Sequence, residues 1–218
     1  VVVACPLLPA GAVLPRHTSA VASFARLVSS NAEAVAAAGL GALAAALDRP
    51  LGHPDQAQKS LQTVLEVLRD LLALGPQATA SAGWEGDEPG VLTKSTVHCT
   101  SRFLATQLKR VEGSPLARPL LRALHEYSFP AVGGAAHTVL CLEAWEALVE
   151  HVSSALEAAE MDGCEGPSQA AFERARDLYG PPIVAAATEV LARMLYACPG
   201  HGANPSIEAL DDTPGSDG

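Results

Sequence analysis

The segment between Ser114 and Ala158 constrains the fold most strongly, because it predicts two helices joined by a glycine-rich turn. Ser114 suits the N-cap of the first helix, and Gly133 and Gly134 mark the turn. After the turn, apolar residues recur every three or four positions, as on one face of a helix. This stripe contains Leu142, Trp145, Val149, Val152 and Leu156, widened by Cys141 and Leu148. We therefore predict a helical hairpin whose second helix buries the stripe.

Four glutamates follow the opposite side of the same helix. We name them the acidic face: Glu143, Glu146, Glu150 and Glu157. Exposed charges are usually only solvated, and that is one interpretation of this face. The other is that a partner protein docks on Glu143, Glu146 and Glu150. Trp84 is a further candidate partner contact, since it stands in a polar loop among Gly, Glu and Asp. The alternative is that Trp84 packs back onto a helix.

The rest of the chain repeats the helical pattern between Gly/Pro breaks, which predicts an all-α fold of about eight helices. One such break, Gly180-Pro181-Pro182, is expected to separate a helix over 168–179 from another over 182–197. Helix pairs of about 40–47 residues match the scale of HEAT and armadillo repeats. We expect a HEAT/armadillo-like α-solenoid of antiparallel helix pairs; a closed helical bundle is the alternative.

Composition divides the chain into three regions. Residues 1–16 are rich in proline, and we expect them to form an irregular N-terminal segment. Residues 17–198 form the helical-repeat domain, with a long polar loop at 76–90. Residues 199–218 contain four acidic residues and no Lys or Arg, which predicts a disordered acidic tail. The chain begins with three valines rather than methionine, so we expect it to be a piece of a longer protein.

Charge and cysteine usage exclude several classes of function. The formal net charge is −10, which argues against nucleic acid as a partner and permits a basic protein. Residues 34–47 are apolar but too short to span a bilayer, so no membrane association is expected. Residues 1–15 have no basic start and contain prolines, so we expect no signal peptide. Five cysteines without a CxxC pair indicate reduced thiols in a cytosolic or nuclear protein.

No residue pattern predicts catalysis, a metal site or a cofactor. His137 and Cys141 are four positions apart and could share a helix face, but no second pair of metal ligands lies near them. They are interpreted as core residues instead. No GxSxG nucleophile motif is present, and the glycine-rich stretches have no P-loop lysine. We therefore expect a binding protein rather than an enzyme.

Three segments resemble the exportins of the importin-β (karyopherin) superfamily. They are PLLRALHEYSFPAVGGAAHTVLCLEAWEALVEHV, PPIVAAATEVLARMLYA and IEALDDTPGSDG, in the same order and spacing across about 115 to 218. Residues 17–111 are similar to that family only in being helical. The resemblance assigns no individual binding residue to this chain.

The resemblance implies a HEAT-repeat superhelix that binds protein cargo, such as profilin–actin, in a Ran-GTP-dependent way. It also implies contact with nucleoporins and shuttling between nucleus and cytoplasm, without any cofactor. A non-transport HEAT-repeat scaffold for protein–protein assembly is the alternative. A helical enzyme or lipid-binding bundle is a third interpretation, and it would require an enclosed pocket with convergent polar groups.

Overall fold

Seven α-helices and no β-strand make up the part of the chain that the computed structural model describes. The described residues are 17–28, 32–48, 54–76, 89–130, 134–163 and 166–196. In chain order the helices are α1 His17–Val28, α2 Glu33–Leu47, α3 Pro54–Ala73, α4 Val91–Val111, α5 Ala117–Ser128, α6 Ala135–Met161 and α7 Gly166–Tyr196. The predicted all-α class is confirmed.

Helix α7 differs from the prediction of two helices separated at Gly180-Pro181-Pro182, because it is continuous through both prolines. Each proline removes one backbone N–H and strains the turn before it, but neither forbids helical dihedral angles. Buried side chains on both sides of the prolines, Tyr179 and Ala186, hold the two parts in one register against the core. Tertiary packing has therefore overridden the local breaking signal.

The even-numbered helices lie side by side: α2 packs on α4, and α4 packs on α6. At one end, the Leu92 N–H of α4 donates to Glu33 Oε1 of α2 at 3.4 Å. At the other, Gln107 Nε2 of α4 donates to the Leu47 carbonyl of α2 at 3.0 Å. Because both helices begin at the same end of this contact, α2 and α4 run parallel.

Helices α4 and α6 also run parallel. Ser101 Oγ of α4 donates to the Glu143 carbonyl near the start of α6, at 3.3 Å. Farther along both helices, Glu112 Oε1 lies 2.6 Å from His151 Nε2. The contacts therefore advance in the same direction along both helices.

The odd-numbered helices form a second row, in which α1 packs on α3, α3 on α5 and α5 on α7. Arg193 Nη2, near the end of α7, donates to the Pro130 carbonyl just beyond α5 at 2.8 Å. The guanidinium of Arg193 also lies over the Phe129 ring, 5.6 Å from its centroid. The ends of α5 and α7 therefore meet, and these helices too are parallel.

The predicted hairpin of α5 and α6 requires a correction in its packing. Both helices are present, but α6 makes its extensive contacts with α4 and α7, while α5 makes its own with α3. Helix α6 thus packs on α4 within its own row and on α7 across the two rows. Among sequence-adjacent pairs, α1–α2 and α6–α7 make extensive contacts, whereas α5–α6 makes few.

One apolar core runs through all seven described helices, and leucine is its most frequent residue. Trp145 is only 4% exposed, so its predicted burial is confirmed. Gly39 is required for the close approach of α2 to α1, since a Cβ there would lie 3.0 Å from both Leu27 Cβ and the Val28 backbone nitrogen. The predicted burial of Val149 and Leu156 is wrong, because α4 and α7 leave that flank of α6 uncovered and both side chains are exposed.

Candidate protein-docking surfaces on helices α6 and α7

Helix α6 presents an uncompensated acidic surface. It contains five glutamates and no Lys or Arg, and all five side chains are exposed. None of them forms an ion pair with any residue of the described ranges. The three candidate contacts Glu143, Glu146 and Glu150 thus lie together on one solvent-facing side. The remaining candidate, Trp84, falls outside the described residues.

An exposed apolar row borders the acidic face. Val149 and Leu156 are seven residues apart, which places them two turns apart on one flank of α6. Val139 is exposed near the start of the same helix. An apolar row beside an acidic row is complementary to an amphipathic helix that carries basic side chains.

Helix α7 presents a second exposed surface, which we name the α7 apolar face: Val184, Leu191 and Leu195. These side chains are 66%, 59% and 67% exposed, respectively. They project away from the core side of α7, where Ala175, Tyr179 and Ala186 are buried. A helix that is apolar on both sides is typical of one covered on both sides. The sequence shows that this part of α7 is rich in apolar residues, but only the fold shows which side of the helix is left uncovered.

Buried hydrogen bonds hold the start of α6 against the end of α5. His137 Nε2 lies 2.8 Å from the Tyr127 carbonyl, and since a carbonyl only accepts, Nε2 must carry the hydrogen. Trp145 Nε1 donates to Ser128 Oγ at 3.0 Å. These bonds use polar groups at the end of α5 and hold α6 with its acidic face toward solvent.

His137 and Cys141 meet in the core, with 3.6 Å between Nε2 and Sγ. The described residues contain no group of three His, Cys, Asp or Glu side chains placed to hold a metal ion. Burial lowers the pKa of His137 and raises the pKa of the Cys141 thiol to about 12. A buried neutral thiol is a poor nucleophile, so both side chains serve the core.

Thiol reactivity provides a direct check on this environment. Burial raises the pKa of Cys99, like that of Cys141, to about 12. We expect iodoacetamide to leave both thiols unmodified in the folded protein and to modify both in urea, as read by peptide mass spectrometry. The folded state holds these protons more tightly than the unfolded state, so stability should fall as pH rises from about 9 toward 12. Equal labelling rates with and without urea would contradict the burial of both thiols.

A scan against protein-family models, a search of curated proteins and a search of solved structures each found no match to this chain. Across the described helices, none is both long and apolar enough to cross a membrane.

Proposed function

We propose that this chain is part of an α-solenoid scaffold that binds protein partners, and that it acts as an exportin-type nuclear transport receptor. The observation that carries the scaffold proposal is the stacking of every helix on the helix two places along the chain. The α6 and α7 surfaces support a binding role, and the resemblance of 115–218 to exportins supports the transport role.

The stacking favours an open array over a closed bundle. In HEAT and armadillo arrays, equivalent helices of successive pairs lie side by side and contact mainly their neighbours. Here α2, α4 and α6 form one such row, and α1, α3, α5 and α7 form another. The first and last described helices, α1 and α7, make no extensive contact with each other, whereas a closed bundle would bring them together.

The charge of the docking surface favours a basic protein partner. Within the described part of the chain no residue forms an ion pair with the acidic face, and the whole chain has a formal net charge of −10. Complementary charge steers association and sets the register of a complex. The exposed Val149 and Leu156 would add apolar contact beside the charged row. No catalytic step or cofactor enters this proposal.

Cargo transport is the second part of the proposal. By its resemblance to exportins, the full-length protein is proposed to bind protein cargo, such as profilin–actin, together with Ran-GTP. It would contact nucleoporins and shuttle between nucleus and cytoplasm. A scaffold without a transport role, assembling other proteins, is the alternative that the test must separate.

The test is capture of partners by the full-length protein from nuclear extract, with Ran loaded either with a non-hydrolysable GTP analogue or with GDP. GTP-dependent capture of profilin and actin would support the whole proposal. GTP-dependent capture of other proteins would retain the transport role and remove that cargo. Capture of the same proteins with Ran-GTP and Ran-GDP would reject the transport role and favour the assembly scaffold.

The acidic face can be tested by neutralising its candidate contacts together. We expect Glu143→Gln, Glu146→Gln and Glu150→Gln, combined, to weaken binding of a captured basic partner about tenfold, because each exposed ion pair contributes modestly. The variant should also flatten the dependence of affinity on salt. Isothermal titration calorimetry at two salt concentrations measures both effects.

A charge-matched control uses exposed acids elsewhere in the fold. Glu66, Asp70 and Glu173 are exposed and lie on α3 and α7. Their combined conversion to amides changes the net charge by the same amount. Equal loss of affinity in the control would show that total charge, rather than the acidic face, attracts the partner.

A further inference from the structure

A groove of about 420 Å³ lies between the parallel helices α5 and α7. Its apolar wall includes Leu121 of α5 and Leu178, Pro181 and Pro182 of α7. The size matches sites that hold small ligands or short peptide segments. The acidic face on α6 and the α7 apolar face are separate surfaces, so the groove is a distinct candidate site.

One polar group in the groove wall has no hydrogen-bond partner. His125 is half-buried and lines the groove, and its Nε2 is enclosed without a partner among the residues that the structure describes. Its ring lies against Phe129 and Trp145, with centroid distances of 5.2 and 6.2 Å. Because Nε2 is enclosed, the part of the imidazole that a ligand in the groove can touch is the exposed surface of its ring.

The opposite wall offers backbone acceptors. Pro181 and Pro182 have no N–H, so the carbonyls of Asp177 and Leu178 lack the helical donor four residues later. All four residues line the groove. Carbonyl groups exposed at a proline in a helix accept hydrogen bonds from water or from a ligand. The α7 wall therefore suits a ligand that has N–H donors.

The charges along the groove are compensated with one exception. Arg122 Nε pairs with Glu126 Oε1 at 2.8 Å, and Arg176 Nη2 pairs with Asp177 Oδ1 at 3.0 Å. Arg118, which also lines the groove, forms no ion pair with any residue in the described part of the chain. The uncompensated charge on the groove wall is thus positive, and it favours an acidic group on the ligand.

Spacing relates these features to one another. Arg118 and His125 are seven residues apart on α5, about 10.5 Å along the helix axis at 1.5 Å per residue. An extended peptide covers that length with about three residues. A single small carboxylate would not reach both ends of the groove, whereas an extended peptide supplies N–H donors, carbonyl acceptors and side chains along its whole length.

We propose that the groove between α5 and α7 binds a short extended segment of a partner polypeptide, with an acidic side chain at Arg118 and an apolar side chain between Leu121 and Leu178. The backbone N–H groups of the segment donate to the α7 carbonyls beside the prolines, and the segment packs along the ring of His125. The proposal does not depend on a transport role, because it rests only on α5 and α7.

Two synthetic probes test it: the capped peptide Glu-Leu-Ala-Leu and the same peptide with Gln in place of Glu. Titration into the isotopically labelled 218-residue chain, followed by amide NMR shifts, should perturb α5 and α7 around the groove. We expect Arg118→Gln to weaken the Glu peptide about fivefold, the effect of one exposed ion pair, and to leave the Gln peptide unchanged. The matched control is Arg174→Gln, an exposed arginine of α7 outside the groove.

A steric pair provides an independent readout. Ala185 lines the groove, so Ala185→Phe should fill it and abolish the shifts with both peptides. Ala187 is exposed on α7 outside the groove, so Ala187→Phe should bind as the parent does. Shifts that survive Ala185→Phe, or equal losses with Arg118→Gln and Arg174→Gln, would overturn the proposal. Full displacement of the peptide by sodium acetate at equal concentration would also overturn it, in favour of a simple carboxylate site.

Discussion

Trp145→Ala is expected to lower the free energy of unfolding by about 3–5 kcal/mol, the usual cost of removing a large buried aromatic side chain. The indole is 4% exposed and lies where α6 meets the end of α5. Its loss leaves a cavity beside His125 and Phe129, whose rings pack against it, and leaves Ser128 Oγ without the indole donor. Urea denaturation followed by far-UV circular dichroism measures the change.

Trp84→Ala is the matched control, since it removes the chain's second tryptophan from a segment predicted to be a loop. We expect it to leave the urea midpoint unchanged. Equal destabilisation by both substitutions would contradict the assignment of Trp145 to the core and Trp84 to a loop. A smaller loss for Trp145→Phe than for Trp145→Ala would separate the packing contribution from the indole hydrogen bond.

Gly39→Val is expected to cost about 3 kcal/mol of stability, because it overpacks the contact between α1 and α2. The added Cβ would meet the backbone of Val28 at 3.0 Å and the carbonyl oxygen of Phe24 at 3.1 Å, as well as the side chain of Leu27. Backbone atoms cannot rotate away as a flexible side chain can, so α1 must shift. The expected result is a lower urea midpoint with retained helix content.

Gly41→Val is the control for helix propensity at nearly the same place. Gly41 is exposed in α2, and a Cβ there would meet no atom within 4 Å. Valine is a better helix former than glycine, so stability should rise by about 0.5 kcal/mol. We expect the free energy of unfolding to fall for Gly39→Val and to rise for Gly41→Val. A small rise for both would mean that α1 and α2 are not in tight contact.

Local sequence signals predicted the helices well. Periodic leucines and glycine breaks indicated α1 to α6 within a few residues, because amphipathic period and turn chemistry act over short distances. The break at Pro181 was predicted wrongly for the same reason. Whether a proline ends a helix depends on the packing on both sides of it, and the burial of Tyr179 and Ala186 is a property of the whole fold.

Of the candidate surfaces, local sequence predicts one, and tertiary packing determines the others. The acidic face could be predicted from spacing alone, since Glu143, Glu146 and Glu150 fall on one side of any regular helix. Exposure of Val149 could not be predicted, because it depends on which helices cover α6. The groove between α5 and α7 could not be predicted either, since it joins residues that are about sixty positions apart in the chain.

The two prolines of α7 also divide the helix into segments that unwind separately. Helical cooperativity is transmitted through successive hydrogen bonds, and two of these are missing at Pro181 and Pro182. Fraying that starts at Tyr196 is therefore expected to stop at the prolines and leave the part packed before them intact. The α7 apolar face lies wholly within the outer segment, so its amides should exchange with deuterium faster than those of 166–180. The α7 apolar face thus belongs to the segment of the helix that is expected to open first.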